Sequence, residues 1–126
     1  MIHPDDRGNA VVEFAGVGVL VTLAALGVMQ VGMVSHVKAV VTDSAIAGAA
    51  YAALADSSLS AGIARTRELA SIGIAQDLIT DVSATTTTVA GKPVVVVTAS
   101  YRVPTLGPWV PVAVASTTGR AFVEVP

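Results

Sequence analysis

The sequence contains no cysteine, only two histidines and few charged residues. The absence of cysteine excludes disulfides, thiolate catalysis and cysteine-ligated metal, although it does not identify the compartment. His3 and His36 belong to no Ser-His-Asp set, metal-ligand cluster or phosphate-cradling glycine loop. We therefore expect no enzyme activity, no cofactor and no small-molecule substrate. A net charge of −2 without a basic stripe argues against a nucleic-acid partner.

What the sequence does contain is a long apolar segment. No charged residue occurs in the 22 positions from Phe14 to Ser35. As a helix this run is about 33 Å long, close to the roughly 30 Å hydrocarbon thickness of a bilayer. Signal peptides have shorter apolar cores and positive flanks, whereas Asp5 and Asp6 here outnumber Arg7. The run therefore predicts a membrane span rather than a signal peptide or the buried helix of a soluble protein.

One carboxylate, Glu13, stands at the threshold of this span. A charged side chain at the bilayer centre costs about 2.5–3.5 kcal/mol, and it costs less near the end of a span. Two interpretations remain open from the residues alone: Glu13 marks the membrane boundary, or it serves a function with a cationic partner. The flanking basic residues, Arg7 and Lys38, balance each other and do not orient the span.

Gly8, followed by four residues and then Glu13-Phe14, opens the long apolar helix. This pattern resembles the processing signal of type IV pilins, and a glutamate followed directly by an aromatic residue resembles their Flp/Tad branch. The chain length and the Ala- and Gly-rich stretch Val41–Ala53 resemble TadE-like minor pilins, or pseudopilins. The resemblance implies that a prepilin peptidase cuts between Gly8 and Asn9. It also implies that Glu13 pairs with the new amino terminus of a neighbouring subunit.

The same resemblance implies the partners and the location of the chain. The partners would be the prepilin peptidase, other pilin subunits in a homo- or hetero-oligomeric filament, and the cytoplasmic membrane before assembly. The precursor would be a single-pass membrane protein with its head outside the cytoplasm, and the assembled subunit would lie in a cell-surface pilus that serves adhesion. The alternative is an uncleaved, single-pass anchored, exported binding module in which Glu13 only marks the boundary.

The predicted domains are a leader peptide at 1–8, a transmembrane and assembly helix at 9–55, and a small head at 56–126. No proline interrupts the sequence from 14 to 55. Small residues allow helices to approach closely, so we assign assembly roles to Gly16, Gly27 and Gly48. Glu13 is a fourth assembly residue through its implied pairing with a neighbouring subunit. Above the span, small and apolar residues recur at spacings of three and four: Val37, Val40, Val41, Ser44, Ala45, Gly48, Ala49 and Ala52.

The head has the pattern of an α+β domain. A second helix is expected after an N-cap at Ser58 or Ser60. The period then changes to two, which predicts an antiparallel sheet of three or four strands. The expected strands are Asp81–Val89, Pro93–Val103, Val112–Ser116 and Ala121–Val125, the last two being alternatively one strand interrupted near Gly119. Trp109 lies between prolines, where it either packs on the head or forms an exposed contact.

Overall fold

The computed structural model describes residues 4–106 and 112–125, with side chains from Arg7 onward, so the prediction for Trp109 lies outside the described residues. The fold is α+β, as predicted: a long helix, a short helix and a three-stranded antiparallel sheet. The elements are α1 (Pro4–Ala52), α2 (Leu59–Gly73), a 3₁₀ turn (Gln76–Leu78), β1 (Ile79–Val89), β2 (Lys92–Arg102) and β3 (Val114–Phe122).

Helix α1 is continuous through the predicted cleavage site and the predicted span. It begins at Pro4, a residue favoured in the first helical turn because its missing N–H has no partner there anyway. It ends at Ala52 rather than at the predicted Ala55. Just past its end, the C=O of Ala53 accepts a hydrogen bond of 2.9 Å from the N–H of Glu124, beyond β3, which connects the chain after α1 to the sheet.

Helix α2 begins where the sequence predicts it. Ser58 is the N-cap, and its Oγ accepts a hydrogen bond of 3.2 Å from the N–H of Ala61. The cap supplies a partner for one of the free N–H groups in the first turn. Of the two serines that the sequence offered, Ser58 therefore caps the helix, and Ser60 lies in its first turn.

The sheet has the order β1-β2-β3 with antiparallel neighbours. Ala90 and Gly91 connect β1 to β2 with φ angles of 51° and 78°, the backbone twist of a tight hairpin turn. On β2 the side chains of Val95, Val97, Ala99 and Tyr101 are buried in the core, as a period of two predicts, and Val94 beside the hairpin is buried on the other face.

The third strand corrects one sequence-based expectation. Val114–Phe122 forms a single uninterrupted strand, and Gly119 neither breaks it nor separates two strands. Gly119 pairs with Val97 on β2, and its face without a side chain lies directly against the backbone of α1 at Ala45 and Ile46. Within the described residues the sheet therefore has three strands, the lower of the two predicted numbers.

The core of the head forms where the upper half of α1 and α2 lie side by side on one face of the sheet, with α1 against β3 and β2 and α2 against β1. On the sheet side, the hydroxyls of Thr42 and Thr117 form a hydrogen bond of 2.8 Å between α1 and β3. On the α2 side, Val40 contacts Gly73. The α1 stripe predicted from the sequence is buried almost throughout, so it faces the chain's own head: Val37, Val41, Ser44, Ala45, Gly48, Ala49 and Ala52.

Candidate membrane-spanning and assembly helix

The lower half of α1 stands free of the head. Every side chain from Arg7 to Met29 is exposed, although most of them are apolar. This helix is the one in the described residues that is long and apolar enough to cross a membrane. A helix that is apolar all round is expected to be surrounded by lipid or by other helices rather than by water. The structure thus presents a complete cylinder of apolar surface that nothing in the head covers.

The residues of the predicted processing signal lie on the first turns of this free helix. Gly8, Asn9, Glu13 and Phe14 are all exposed, and a side chain added at Gly8 would meet nothing within 4 Å. Asn9 and Glu13 are four positions apart and so lie on the same helix face. Along the axis they are separated by about 6 Å. An amino group created at Asn9 would therefore stand about one turn from the Glu13 carboxylate.

Glu13 has no ion-pair partner among the residues that the structure describes, where the one salt bridge joins Arg65 to Glu68 at 3.1 Å. Thr22, within the apolar surface, donates its hydroxyl hydrogen to the C=O of Gly18 at 2.8 Å and so needs no outside partner. Glu13 consequently presents a charge to whatever surrounds the helix. In an apolar environment such a group is stable only when it finds a cationic partner or reaches water.

The three glycines predicted to serve assembly lie in two different environments. Gly16 and Gly27 face open space, with nothing within 4 Å of an added Cβ. Gly48 is buried, and its Cα lies against Gly62 and Thr66 of α2. Its small size is therefore needed where α1 and α2 cross inside the head. We retain Gly16 and Gly27 as candidate assembly positions and assign Gly48 to the interior.

Gln30 is a residue whose role the sequence analysis did not predict. Its Oε1 accepts a hydrogen bond of 2.8 Å from the N–H of Leu106, and its Nε2 donates to the C=O of Pro104. These two bonds attach the segment that follows β2 to the helix at the point where the head begins. The sequence feature that could have indicated this role is an amide side chain inside an otherwise apolar run. Such a group requires hydrogen-bond partners when it leaves water.

The rest of the described chain offers little chemistry. No group of three or more His, Asp or Glu residues is placed to hold a metal ion in the described ranges. His36 lies with its Nε2 3.3 Å from the C=O of Gly73, at the carboxyl end of α2, where it contributes to the contact between the two helices. Among the described residues, the free half of α1 is therefore the candidate functional site.

Comparison with known proteins identifies the same part of the chain. Residues 8–50 match the family model of TadE-like proteins. No curated protein and no solved structure matches the chain. The match confirms the resemblance seen in the sequence, and it covers α1 from Gly8 almost to its end. It does not extend to α2 or to the sheet. The long apolar helix and the family match together fit a membrane protein associated with the Tad pilus.

Proposed function

We propose that this chain is a structural subunit of a type IV-like (Flp/Tad) pilus, of the TadE-like minor pilin kind. The precursor is inserted in the cytoplasmic membrane through α1, with the leader inside and the head outside. A prepilin peptidase removes Met1–Gly8, and the subunit joins other pilins through the free half of the helix. The observation that carries the proposal is the uncovered apolar helix from Arg7 to Met29, which coincides with the start of the TadE-like match.

The exposed surface supports a two-stage use of the same helix. Lipid surrounds the apolar cylinder while the subunit waits in the membrane. Sister helices then replace lipid in the filament, and Gly16 and Gly27 allow their backbones to approach because no side chain stands between them. The Glu13 carboxylate, which lacks a partner in the described chain, pairs with the amino terminus at Asn9 of a neighbour. This pairing sets the axial register between subunits.

Removal of the leader is the first test. We expect the intact mass of the protein extracted from membranes to correspond to a chain that begins at Asn9 when an active prepilin peptidase is present. Gly8→Leu should remain full length, because a bulky side chain at the scissile bond does not fit the peptidase. Gly18→Ala, at another open position of the same helix, is the matched control and should be processed normally. A full-length native chain beside an active peptidase would instead support an uncleaved, anchored binding module.

Assembly is tested separately through Glu13. Glu13→Gln keeps the shape of the side chain and removes its charge, so cleavage should continue while incorporation into filaments falls about tenfold. That factor corresponds to the loss of about 1.5 kcal/mol, the lower end for a hydrogen bond to a charged group. The measurement is the ratio of subunit in sheared filaments to subunit in membranes. Glu68→Gln, which alters an exposed glutamate of the head, should assemble normally. Normal assembly of Glu13→Gln would refute the pairing role.

A further inference from the structure

The head begins inside the uncharged run rather than above it. Side chains up to Met29 are exposed, and the next residue, Gln30, is half-buried against the segment after β2. We define the loop segment as Val103–Leu106, the described residues that follow β2. Its two hydrogen bonds with Gln30 hold it beside α1 five residues before Ser35, the last residue of the uncharged run. The position of this segment relative to the bilayer therefore follows from the length of the free helix.

The free helix is too short to fill the bilayer if Glu13 stays at its boundary. From Phe14 to Met29 the helix rises about 24 Å, whereas the hydrocarbon layer is roughly 30 Å thick. A layer that starts at Phe14 ends near Met33, beyond the level at which the loop segment attaches. The Glu13 carboxylate is drawn into the hydrocarbon, the bilayer becomes thinner around the helix, or the loop segment enters the hydrocarbon. The first option costs desolvation of a charge and the second deforms the lipid, so the cost of the third decides among them.

Part of the backbone of the loop segment is paired within the described residues. Irregular backbone is tolerated at membrane depth only when its polar groups are paired. The N–H of Val103 donates to the C=O of Ala113 at 2.8 Å, and Pro104 has no N–H to satisfy. The C=O of Pro104 and the N–H of Leu106 are both bonded to Gln30. Gln30 thereby pairs two loop groups that water would otherwise have to hydrate.

The side chains at this end of the head are also compatible with contact with lipid. Val112, two residues before β3, and Val114, the first residue of β3, are 72% and 63% exposed. Neither the loop segment nor Val112–Val114 contains a charged residue. Arg102 is exposed at the entrance to the loop segment, and its long stem allows the guanidinium to reach lipid headgroups. Val112 and Val114 therefore add exposed apolar surface beside the loop segment, which Val103 joins to Ala113 by a hydrogen bond.

We propose that the lower end of the head, Val103–Leu106 with Val112–Val114, is immersed in the bilayer leaflet on the head's side, at the boundary between the headgroups and the outer hydrocarbon. Gln30 fixes its depth by holding the loop segment to α1. The partner is the lipid bilayer itself. The inference rests on the proposed insertion of α1 and goes beyond it, because it states that the head is seated in the lipid rather than displayed above it.

The absence of cysteine makes a depth measurement direct. Single nitroxide labels at Leu106→Cys and Val112→Cys, in the full chain reconstituted into phosphatidylcholine vesicles, report collision with a water-soluble nickel chelate and with oxygen. Val89→Cys, on the hairpin at the opposite end of the sheet, is the aqueous reference, and Leu20→Cys reports the span. We expect labels at 106 and 112 to collide with the chelate several-fold less often than the label at 89.

The outcomes separate this inference from the proposed function. If the labels at 106 and 112 are as accessible to the chelate as the label at 89 while Leu20→Cys is protected, the lower end of the head is not immersed in lipid. The membrane insertion of α1 is then still supported. If Leu20→Cys is also accessible, the membrane insertion of α1 is wrong as well. In Gln30→Leu the loop segment loses both hydrogen bonds, and the label at 106 should gain accessibility. Thr22→Val, which removes only a bond within the helix, should leave every depth unchanged. An unchanged depth in Gln30→Leu would refute the role of Gln30.

Discussion

Gly119→Ala is expected to destabilise the head by about 3 kcal/mol, at the upper end of the range for overpacked cores. A Cβ at this position would overlap the backbone of α1 at Ala45 and Ile46. Backbone atoms in a helix cannot move aside as the end of a flexible side chain can, so β3 would have to lift from α1. In an open strand position the same change would be stabilising by roughly 0.5–1 kcal/mol, which makes the sign of the effect diagnostic.

The measurement is the hydrogen exchange of β3 amides in the full chain in detergent. A loss of about 3 kcal/mol corresponds to a roughly hundredfold faster exchange through local opening. Thr118→Ala is the matched control, because Thr118 is the preceding residue of the same strand and is exposed. Its effect should stay within the span of about 1 kcal/mol measured for β propensity. Equal exchange in Gly119→Ala and the wild type would show that β3 is not seated on α1 at this point.

Gly48→Ala is expected to destabilise the contact between α1 and α2 by about 2–3 kcal/mol, for a related reason. The added Cβ would overlap the Thr66 hydroxyl and stand 2.7 Å from the C=O of Gly62. The Thr66 hydroxyl is buried and donates to that same C=O at 2.9 Å, so it is not free to rotate away without losing its bond. The two helices would have to separate, and amides of α2 should exchange faster.

A double substitution tests the origin of this effect. Thr66→Ala removes the hydroxyl that the new Cβ would overlap, and it leaves the C=O of Gly62 and the Cβ of residue 66 in place. The pair Gly48→Ala and Thr66→Ala should therefore be less destabilising than the sum of the single changes, by about 1 kcal/mol. Gly27→Ala, on the free half of the same helix, should leave α2 exchange unchanged. Strict additivity of the two changes would exclude overlap with the Thr66 hydroxyl as the cause of the destabilisation in Gly48→Ala.

The periodic parts of the fold were predictable from the sequence. The uncharged run predicts the long helix, the change to a period of two predicts the sheet, and Ser58 marks the start of α2, as the structure confirms. These features depend on residues close to one another in the chain, whose polarity pattern and capping chemistry act locally. The spacing of Gly8, Glu13 and Phe14 is also a local pattern, and the family match over residues 8–50 confirms the resemblance to TadE-like proteins.

The roles of single small or polar residues were not predictable in this way. Gly48 and Gly16 occur in the same helix with similar neighbours, yet one is buried against α2 and the other faces open space. Gly119 was expected near an interruption and instead lies within a continuous strand. Glycine is compatible with a turn, a flexible position or a close approach. Which of these roles a glycine has depends on the residues that the tertiary fold packs against it.

The sequence by itself determined that this chain carries a bilayer-length apolar helix, a carboxylate at its threshold and a small α+β head. Those properties follow from hydropathy and local spacing. Only the tertiary structure decided where the head begins on the helix and which glycines are interior, because both depend on contacts between distant residues. Gln30 reaches Pro104 across 74 positions, and Thr42 reaches Thr117 across 75. No local pattern contains such pairs, since they form only when the sheet packs on α1.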